Sequence, residues 1–186
     1  MEEHYIESVK KQLSYYKLLG EKTFNQLEED QLFWKPNEES NSIAILVQHL
    51  NGNMLSRFTN FLSEDGEKKW RNRDEEFDDI IKSKEDLMLK WEEGWTCVFK
   101  AVDQITKENF DTIIYVRNIG HSIIEAINRQ LMHYAYHIGQ IVFIGKVIAT
   151  NWTYLSIPKG QTKSYNQEKF EKPKQLGHFT DEFLDG

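Results

Sequence analysis

The segment from Ala126 to Ile148 is the most apolar stretch of the chain, and its apolar residues have the spacing of an α-helix. One stripe, at intervals of three and four residues, consists of Ile124, Ile127, Leu131, Tyr134, Ile138, Ile141, Gly145 and Ile148. A second row, about 90° around the helix axis, consists of Ala126, Gln130, His133, His137 and Ile144. A helix that is apolar on more than one side packs between neighbours. This segment therefore predicts a central helix of a helical domain.

Three further segments carry an apolar stripe with helical spacing. They run from about Glu3 to Leu27, from Asn41 or Ser42 to about Phe61, and from Ser83 to about Ile105. The fourth helix begins at Ser122, where Glu125 completes a capping box. Four helices of about three to six turns predict an all-α fold, a four-helix bundle that spans residues 1–150.

The connections between the predicted helices differ in character. The long connection between helices 2 and 3 carries Lys68, Lys69, Arg71 and Arg73 beside five carboxylates at residues 74–79, so we expect a solvated loop in which the charges largely cancel. The β-branched run from Asp111 to Gly120 predicts a short extended or hairpin connection before helix 4. Residues 151–186 have no long period and predict an irregular C-terminal tail that packs on the same domain.

Composition argues against several classes of protein. The chain of 186 residues has 23 Lys and Arg against 30 Asp and Glu, a net charge of −7. A chain this acidic, without a basic stripe, is a poor binder of nucleic acid. No apolar run reaches the length of a membrane span, and the N-terminus lacks the apolar core of a signal peptide. The single cysteine, Cys97, fits a reducing compartment. We therefore expect a cytoplasmic protein with neither nucleic-acid nor membrane partners.

Two histidines on the fourth helix are candidate metal ligands. His133 and His137 lie four residues apart, so one face of the helix carries both imidazoles. Glu does not follow His133, so the H-E-x-x-H pattern of zinc proteases is absent. His49 lies in the middle of the second helix, beside its core stripe, where a histidine needs polar partners. From the residues alone two interpretations remain open: a three-histidine metal site, or hydrogen-bonded aromatic side chains in a helix–helix seam.

Five polar residues near these histidines are candidates for supporting the ligands or contacting a substrate: Asn53, Arg57, Gln130, Gln140 and His121. For Arg57 we expect a salt bridge to a nearby acid rather than an anionic substrate. We expect Tyr134 and Cys97 to be core residues. No carboxylate stands beside the histidines in the sequence, so no general base is indicated and no catalytic residue is assigned.

Three stretches of the chain resemble one known group of proteins. They are His49–Met54 (HLNGNM), Glu125–Val142 (EAINRQLMHYAYHIGQIV) and Leu155–Gln161 (LSIPKGQ). With the early histidine and the later His-x-x-x-His pair, they resemble the DinB-like superfamily of four-helix bundles, which includes the bacillithiol and mycothiol S-transferases. The similarity is greater still to an uncharacterised bacterial subgroup of that superfamily, and it spans nearly the whole chain.

The resemblance implies that His49, His133 and His137 hold a divalent ion, for which nickel, zinc, iron and manganese are all candidates. It also implies a metal-dependent transferase that acts on a low-molecular-weight thiol, with the metal lowering the thiol's pKa. Two alternatives remain. One is a hydrolase that uses metal-activated water. The other is a non-catalytic metal-binding or scaffold protein, expected to be a homodimer that pairs through the Trp-rich third helix.

Overall fold

Four long helices form the framework of the computed structural model, which describes residues 2–184. These helices are α1 (Glu2–Phe24), α2 (Ile43–Phe58), α3 (Lys84–Asp103) and α4 (Ile123–Ile148). The remaining elements are a hairpin of β1 (Ile113–Val116) and β2 (Ile119–Ser122), the short helices α5 (Thr162–Phe170) and α6 (Asp181–Leu184), and 3₁₀ turns at Asp30–Phe33 and Asp74–Phe77. The prediction of a mostly helical fold is confirmed, and so is the hairpin before the last long helix.

Serine side chains begin three of the long helices, as the sequence predicts. The hydroxyl of Ser42 accepts a hydrogen bond from the backbone N–H three residues later, and Ser83 does the same for α3. At α4 the capping box is complete, because Ser122 accepts from the Glu125 N–H and the Glu125 carboxylate accepts from the Ser122 N–H. These caps satisfy backbone donors that have no partner inside the helix.

The core lies between the four long helices. The helix α2 packs against α3 and α4, and α1 packs against α4 and α3. Trp91 and Trp95 of α3 and Tyr134 of α4 are its largest side chains, and all three are at most 2% exposed. Tyr134 is therefore a core residue, as predicted. Both tryptophans of α3 pack inward, against Phe24 and Tyr134 respectively, so neither is exposed for the predicted pairing through this helix, and the homodimer stays a prediction.

The hairpin is anchored to the connection between α2 and α3. Its turn residues Arg117 and Asn118 have φ values of 54° and 61°, the left-handed conformation that a two-residue hairpin turn requires. The backbone N–H groups of both donate to the Asp65 carboxylate at 2.8 Å. The Gly66 N–H also donates to the Tyr115 carbonyl at 2.8 Å. These bonds hold the connection and the hairpin together beside the N-terminal end of α4.

The prediction of a solvated loop over this connection is wrong. The side chains of Lys68 and Arg71 are only 5% and 3% exposed. The connection folds back on α2, where the Gly66 carbonyl accepts hydrogen bonds from Ser56 and Arg57. Buried cations need partners of opposite charge. The acidic residues of the same connection supply these partners, so the cations need not be exposed to solvent.

The C-terminal tail is less irregular than predicted, because it contains α5 and α6. The tail contacts α1: the rings of Phe179 and Phe183 lie 5.9 and 5.3 Å from the ring of Tyr15, and Lys11 pairs with Asp181 at 2.8 Å. Residues 185–186 of the predicted tail lie outside the described residues. Among residues 2–184, none of the helices combines the length and the apolar character that crossing a membrane would require.

Candidate metal centre

Three histidines from two helices meet in the structure. The ring of His49 on α2 lies 5.3 Å from that of His133 and 4.8 Å from that of His137, both on α4. The two α4 rings are 4.6 Å apart. One nitrogen of each ring can be chosen so that all three lie within 4.8 Å of one another. Three imidazole nitrogens this close could hold one metal ion.

Helix geometry explains why these side chains converge. His133 and His137 are one turn apart on the face of α4 that meets α2, and His49 stands in the middle of α2. His49 is 4% exposed and His137 9% exposed. A rigid pair of packed helices therefore fixes the three backbone positions, and only side-chain rotation remains to be controlled.

Glu76 controls the orientation of His49. The Nδ1–H of His49 donates to the Glu76 carboxylate at 2.9 Å, which leaves Nε2 as the nitrogen with a free lone pair. Arg71 donates to the same carboxylate at 2.7 and 3.0 Å. Burial alone would raise the pKa of the Glu76 carboxyl, but the hydrogen bonds from His49 and Arg71 outweigh it and lower the pKa. A carboxylate behind a ligating histidine is a recurrent feature of metal sites.

Sequence reasoning missed Glu76, because it is one of five acidic residues in a run and lies 27 positions from its partner. The only available signal was Gly52, a glycine inside a helix. A Cβ atom at Gly52 would lie 2.7 Å from Cδ of Glu76, so the missing side chain makes room for the carboxylate. The same connection supplies Phe77, whose ring stacks on His49 at 4.9 Å.

Gln140 plays the corresponding part for His137. The Nδ1–H of His137 donates to the Gln140 amide oxygen at 2.8 Å, and the amide nitrogen in turn donates to the Tyr136 hydroxyl at 3.3 Å. The lone pair of His137 is then on Nε2. Gln140 therefore contacts a candidate ligand directly rather than through water.

The third histidine, His133, has a ring nitrogen that forms no hydrogen bond with the described residues. Within the described part of the chain, Nε2 of His133 is buried and has no hydrogen-bond partner. Burial and the neighbouring His137 and His49 lower the pKa of His133 to about 3, and burial also lowers the pKa of His137. Both rings are therefore neutral at neutral pH, which is the form that binds metals. An orphaned buried nitrogen beside two oriented imidazoles fits a bound cation.

A cavity of about 690 Å³ opens beside the cluster. It is lined by His49, Asn53, Arg57, Arg71, Arg73, Arg117, Arg129, Gln130, Met132, His133 and Tyr136. Three histidines do not fill the coordination sphere of a divalent ion. An ion held by the cluster would therefore have open positions facing a space large enough for a small organic molecule.

The other predicted candidates fall into two groups. Asn53 and Gln130 are buried and line the cavity, and their amide oxygens have no partner among residues 2–184. Arg57 forms the expected salt bridge, with Glu67 at 3.0 Å, although it also lines the cavity. His121 lies on β2, outside the histidine cluster. The roles of Asn53, Gln130 and His121 stay predictions.

The fold and the site together define a mostly helical protein with three clustered histidines that could hold a metal ion. The chain belongs to the family described as "Protein of unknown function (DUF1572)", which matches residues 1–161. The matched range contains all four long helices and the three histidines. No curated protein and no solved structure matches the chain significantly.

Proposed function

We propose that this chain is a DinB-like four-helix-bundle protein that binds one divalent metal ion through His49, His133 and His137. We further propose that it uses the ion in a transferase reaction on a low-molecular-weight thiol. The observation that carries the proposal is the buried Nε2 of His133, which has no partner among the described residues and lies in a cluster with two oriented imidazoles. A cluster of that kind has a free energy cost unless something binds it.

The donor set narrows the choice of metal. Three imidazole nitrogens suit zinc, nickel and iron, whereas manganese prefers carboxylate oxygens. Glu76, a carboxylate that contacts the cluster, is held by hydrogen bonds from His49 and Arg71. We therefore propose zinc, nickel or iron, and we drop manganese.

The cavity favours a thiol over water as the nucleophile. A divalent ion supplies positive charge that lowers the pKa of a thiol or a water molecule. A hydrolase also needs a group that moves protons, and no aspartate or glutamate lines the cavity within residues 2–184. A thiol is already far more acidic than water and requires no such base.

The reaction that we propose balances without a further co-reactant. The thiol releases its proton to solvent, and its sulfur forms a bond to an electrophilic carbon of the second substrate. The bond from that carbon to its leaving group breaks, and the leaving group departs with the electron pair. The chain's part is to bind the thiol in the cavity and to keep the three imidazoles in place.

A turnover assay tests this function. Protein purified without a histidine tag is stripped with a chelator, reloaded with zinc, nickel or iron(II), and given bacillithiol and a chlorobimane electrophile. We expect turnover only after reloading, and we expect His133→Ala to abolish it. His4→Ala, which removes an exposed histidine outside the cluster, is the matched control and should behave as wild type.

The alternatives give different results in the same assay. Metal binding without thiol turnover, together with hydrolysis of an activated ester, would favour the hydrolase. Metal binding without either reaction would favour a scaffold role. Thiol turnover that is unchanged by stripping or by His133→Ala would contradict the proposed transferase.

A further inference from the structure

All five arginines of the chain line the same cavity. They come from four parts of the sequence, Arg57 on α2, Arg71 and Arg73 on the α2–α3 connection, Arg117 at the hairpin turn and Arg129 on α4. The 18 lysines, which supply the rest of the 23 basic residues, are absent from its lining. Arginine differs from lysine in presenting a planar fork that binds a carboxylate or phosphate through two hydrogen bonds.

The protein neutralises only part of this charge. Glu67 pairs with Arg57 and Arg117 at 3.0 Å, and Glu76 pairs with Arg71 at 2.7 Å. Two carboxylates therefore face five guanidinium groups. The arginines around the cavity therefore outnumber the carboxylates that pair with them, although the net charge of the chain is −7.

Two of the arginines have no acidic partner. In the part of the chain that the structure describes, no carboxylate pairs with Arg73 or Arg129. The guanidinium of Arg73 lies over the Phe77 ring at 5.5 Å, which leaves its N–H groups free to bind a ligand. Both residues are exposed at the cavity rim.

A buried donor points to the same kind of ligand. Arg57 is 7% exposed, lines the cavity, and its Nε–H has no acceptor among residues 2–184. A buried N–H without an acceptor is rare in proteins and is satisfied by a ligand or water. An acceptor with negative charge would satisfy it best, because hydrogen bonds between charged groups are the strong ones.

We infer that this cavity is the binding site for a small organic polyanion, a molecule with two or more carboxylates or with a phosphate group. The inference rests on the proposed function in one respect, which is that the anionic molecule is the thiol substrate. A cavity of about 690 Å³ fits a molecule of that size. An ion on the histidines would hold the reacting end of the substrate, and the arginines would hold its anionic end.

Anion binding to the full-length protein tests the inference without reference to turnover. The probes are succinate, its uncharged analogue succinamide, and inorganic phosphate, titrated by calorimetry at low salt into metal-loaded and chelator-treated protein. The variants are Arg73→Gln and Arg129→Gln, which leave no carboxylate unpaired. Lys163→Gln removes an exposed charge outside the cavity and is the matched control.

We expect succinate or phosphate to bind the wild type and succinamide not to bind. Each arginine variant should weaken binding by about tenfold, the loss expected for one charged hydrogen bond. Lys163→Gln should bind as wild type. Tighter binding of succinate would identify a carboxylate ligand, and tighter binding of phosphate a phosphorylated one. Equal binding of succinate and succinamide, or arginine variants that match Lys163→Gln, would overturn the inference.

The two proposals can fail separately. Anion binding that depends on the arginines in a protein that takes up no metal would leave the anion site in place and contradict the proposed metal centre. Metal uptake by the wild type that is lost in His133→Ala, without any arginine-dependent anion binding, would support the metal centre and contradict the anion site. Circular dichroism of each variant establishes that it is folded.

Discussion

Glu76 is the residue that links the histidine cluster to the rest of the molecule. It accepts from His49 on one side and from Arg71 on the other, and Gly52 leaves the space that it occupies. A hydrogen bond of this kind fixes the tautomer of the ligating ring and raises its basicity. Glu76 is a positioning residue in this account, since it does not itself reach the centre of the cluster.

We expect Glu76→Gln to weaken metal affinity by about 10- to 100-fold, the usual loss when the partner of a ligating histidine is removed. Glu75→Gln removes a neighbouring carboxylate that is exposed, and it should leave the affinity unchanged. Competition against a chromophoric chelator measures both. Equal affinities in the two variants would show that Glu76 has no part in holding His49.

The low pKa of His133 predicts how the metal-free protein responds to acid. Its pKa is about 3 in the folded protein, whereas an unfolded histidine has the ordinary value of about 6.5. Between these values the unfolded chain binds the extra proton and the folded chain does not. Stability should therefore fall as the pH drops below about 6.5 and continue to fall towards 3.

Denaturant unfolding of chelator-treated protein at pH 7.5 and pH 5 measures this loss. His133→Asn should lose less stability over the same interval than wild type, because one titrating group has been removed. His4→Asn, at an exposed position, should lose as much as wild type. A loss in His133→Asn equal to that in wild type would contradict the lowered pKa of His133.

At the scale of single residues the sequence singles out the three clustered histidines, but not the carboxylate that contacts His49. His133 and His137 are visible because helix geometry relates positions four apart. Gln140 was visible for the same reason, since it lies one turn from Tyr136 and three residues from His137. Glu76 was not visible, because the path of a connection between helices has no period from which its contacts can be inferred.

Helix positions and their caps were predictable because each depends on local spacing. The serines at 42, 83 and 122 begin helices as expected, and the run before α4 forms the expected hairpin. The connection between α2 and α3 was not predictable. Its run of opposite charges is typical of a solvated loop, yet the side chains of Lys68, Arg71 and Glu76 are buried. Lys68 pairs with Glu64, and Arg71 pairs with Glu76.

The contact between α1 and α3 gives a prediction at the scale of helices. A Cβ atom at Gly20 would lie 2.5 Å from the ring of Trp91, which is 2% exposed and cannot move aside. Gly20→Ala should therefore destabilise the fold by about 1–3 kcal/mol, the usual range for overpacking. The free energy of unfolding in urea measures the effect.

Gly139 on α4 is the matched control, because a Cβ atom there meets nothing within 4 Å. Gly139→Ala should stabilise the protein by up to about 1 kcal/mol through helix propensity alone. If both substitutions stabilise the protein, the close approach of α1 and α3 at Trp91 is incorrect.

The surface of the whole molecule bears on the predicted homodimer. The exposed face of α4 carries Met132, Tyr136, Phe143 and Val147, each between 58% and 69% exposed. These residues follow one stripe, and Met132 and Tyr136 continue it to the cavity rim. Exposed apolar side chains along one face of a helix are typical of a surface that pairs with a second copy.

We expect sedimentation velocity to show a dimer at micromolar concentration and Phe143→Lys to convert it to a monomer. Phe170→Lys changes an aromatic residue on α5 that is 84% exposed and lies outside the stripe, so it should remain dimeric. A wild-type monomer at that concentration would contradict the predicted homodimer.

The convergence of the arginines is the feature of the whole molecule that sequence reasoning could least foresee. In the sequence they are separated by up to 72 positions, from Arg57 to Arg129, and only Arg57 is a candidate site residue from the sequence. Only the packing of α2, α4, the hairpin and the connection places all five around one space. The net charge of −7 gives no sign of this local excess of positive charge.

The central claim is that His49, His133 and His137 together hold one divalent ion. The most direct test is the metal content, by mass spectrometry, of protein produced without a histidine tag and reloaded with metal, beside the His49→Ala and His4→Ala variants treated in the same way. We predict about one ion per chain in wild type and in His4→Ala, and a small fraction of that in His49→Ala. A wild type without a stoichiometric metal after reloading, or a His49→Ala variant that retains it, would contradict the account.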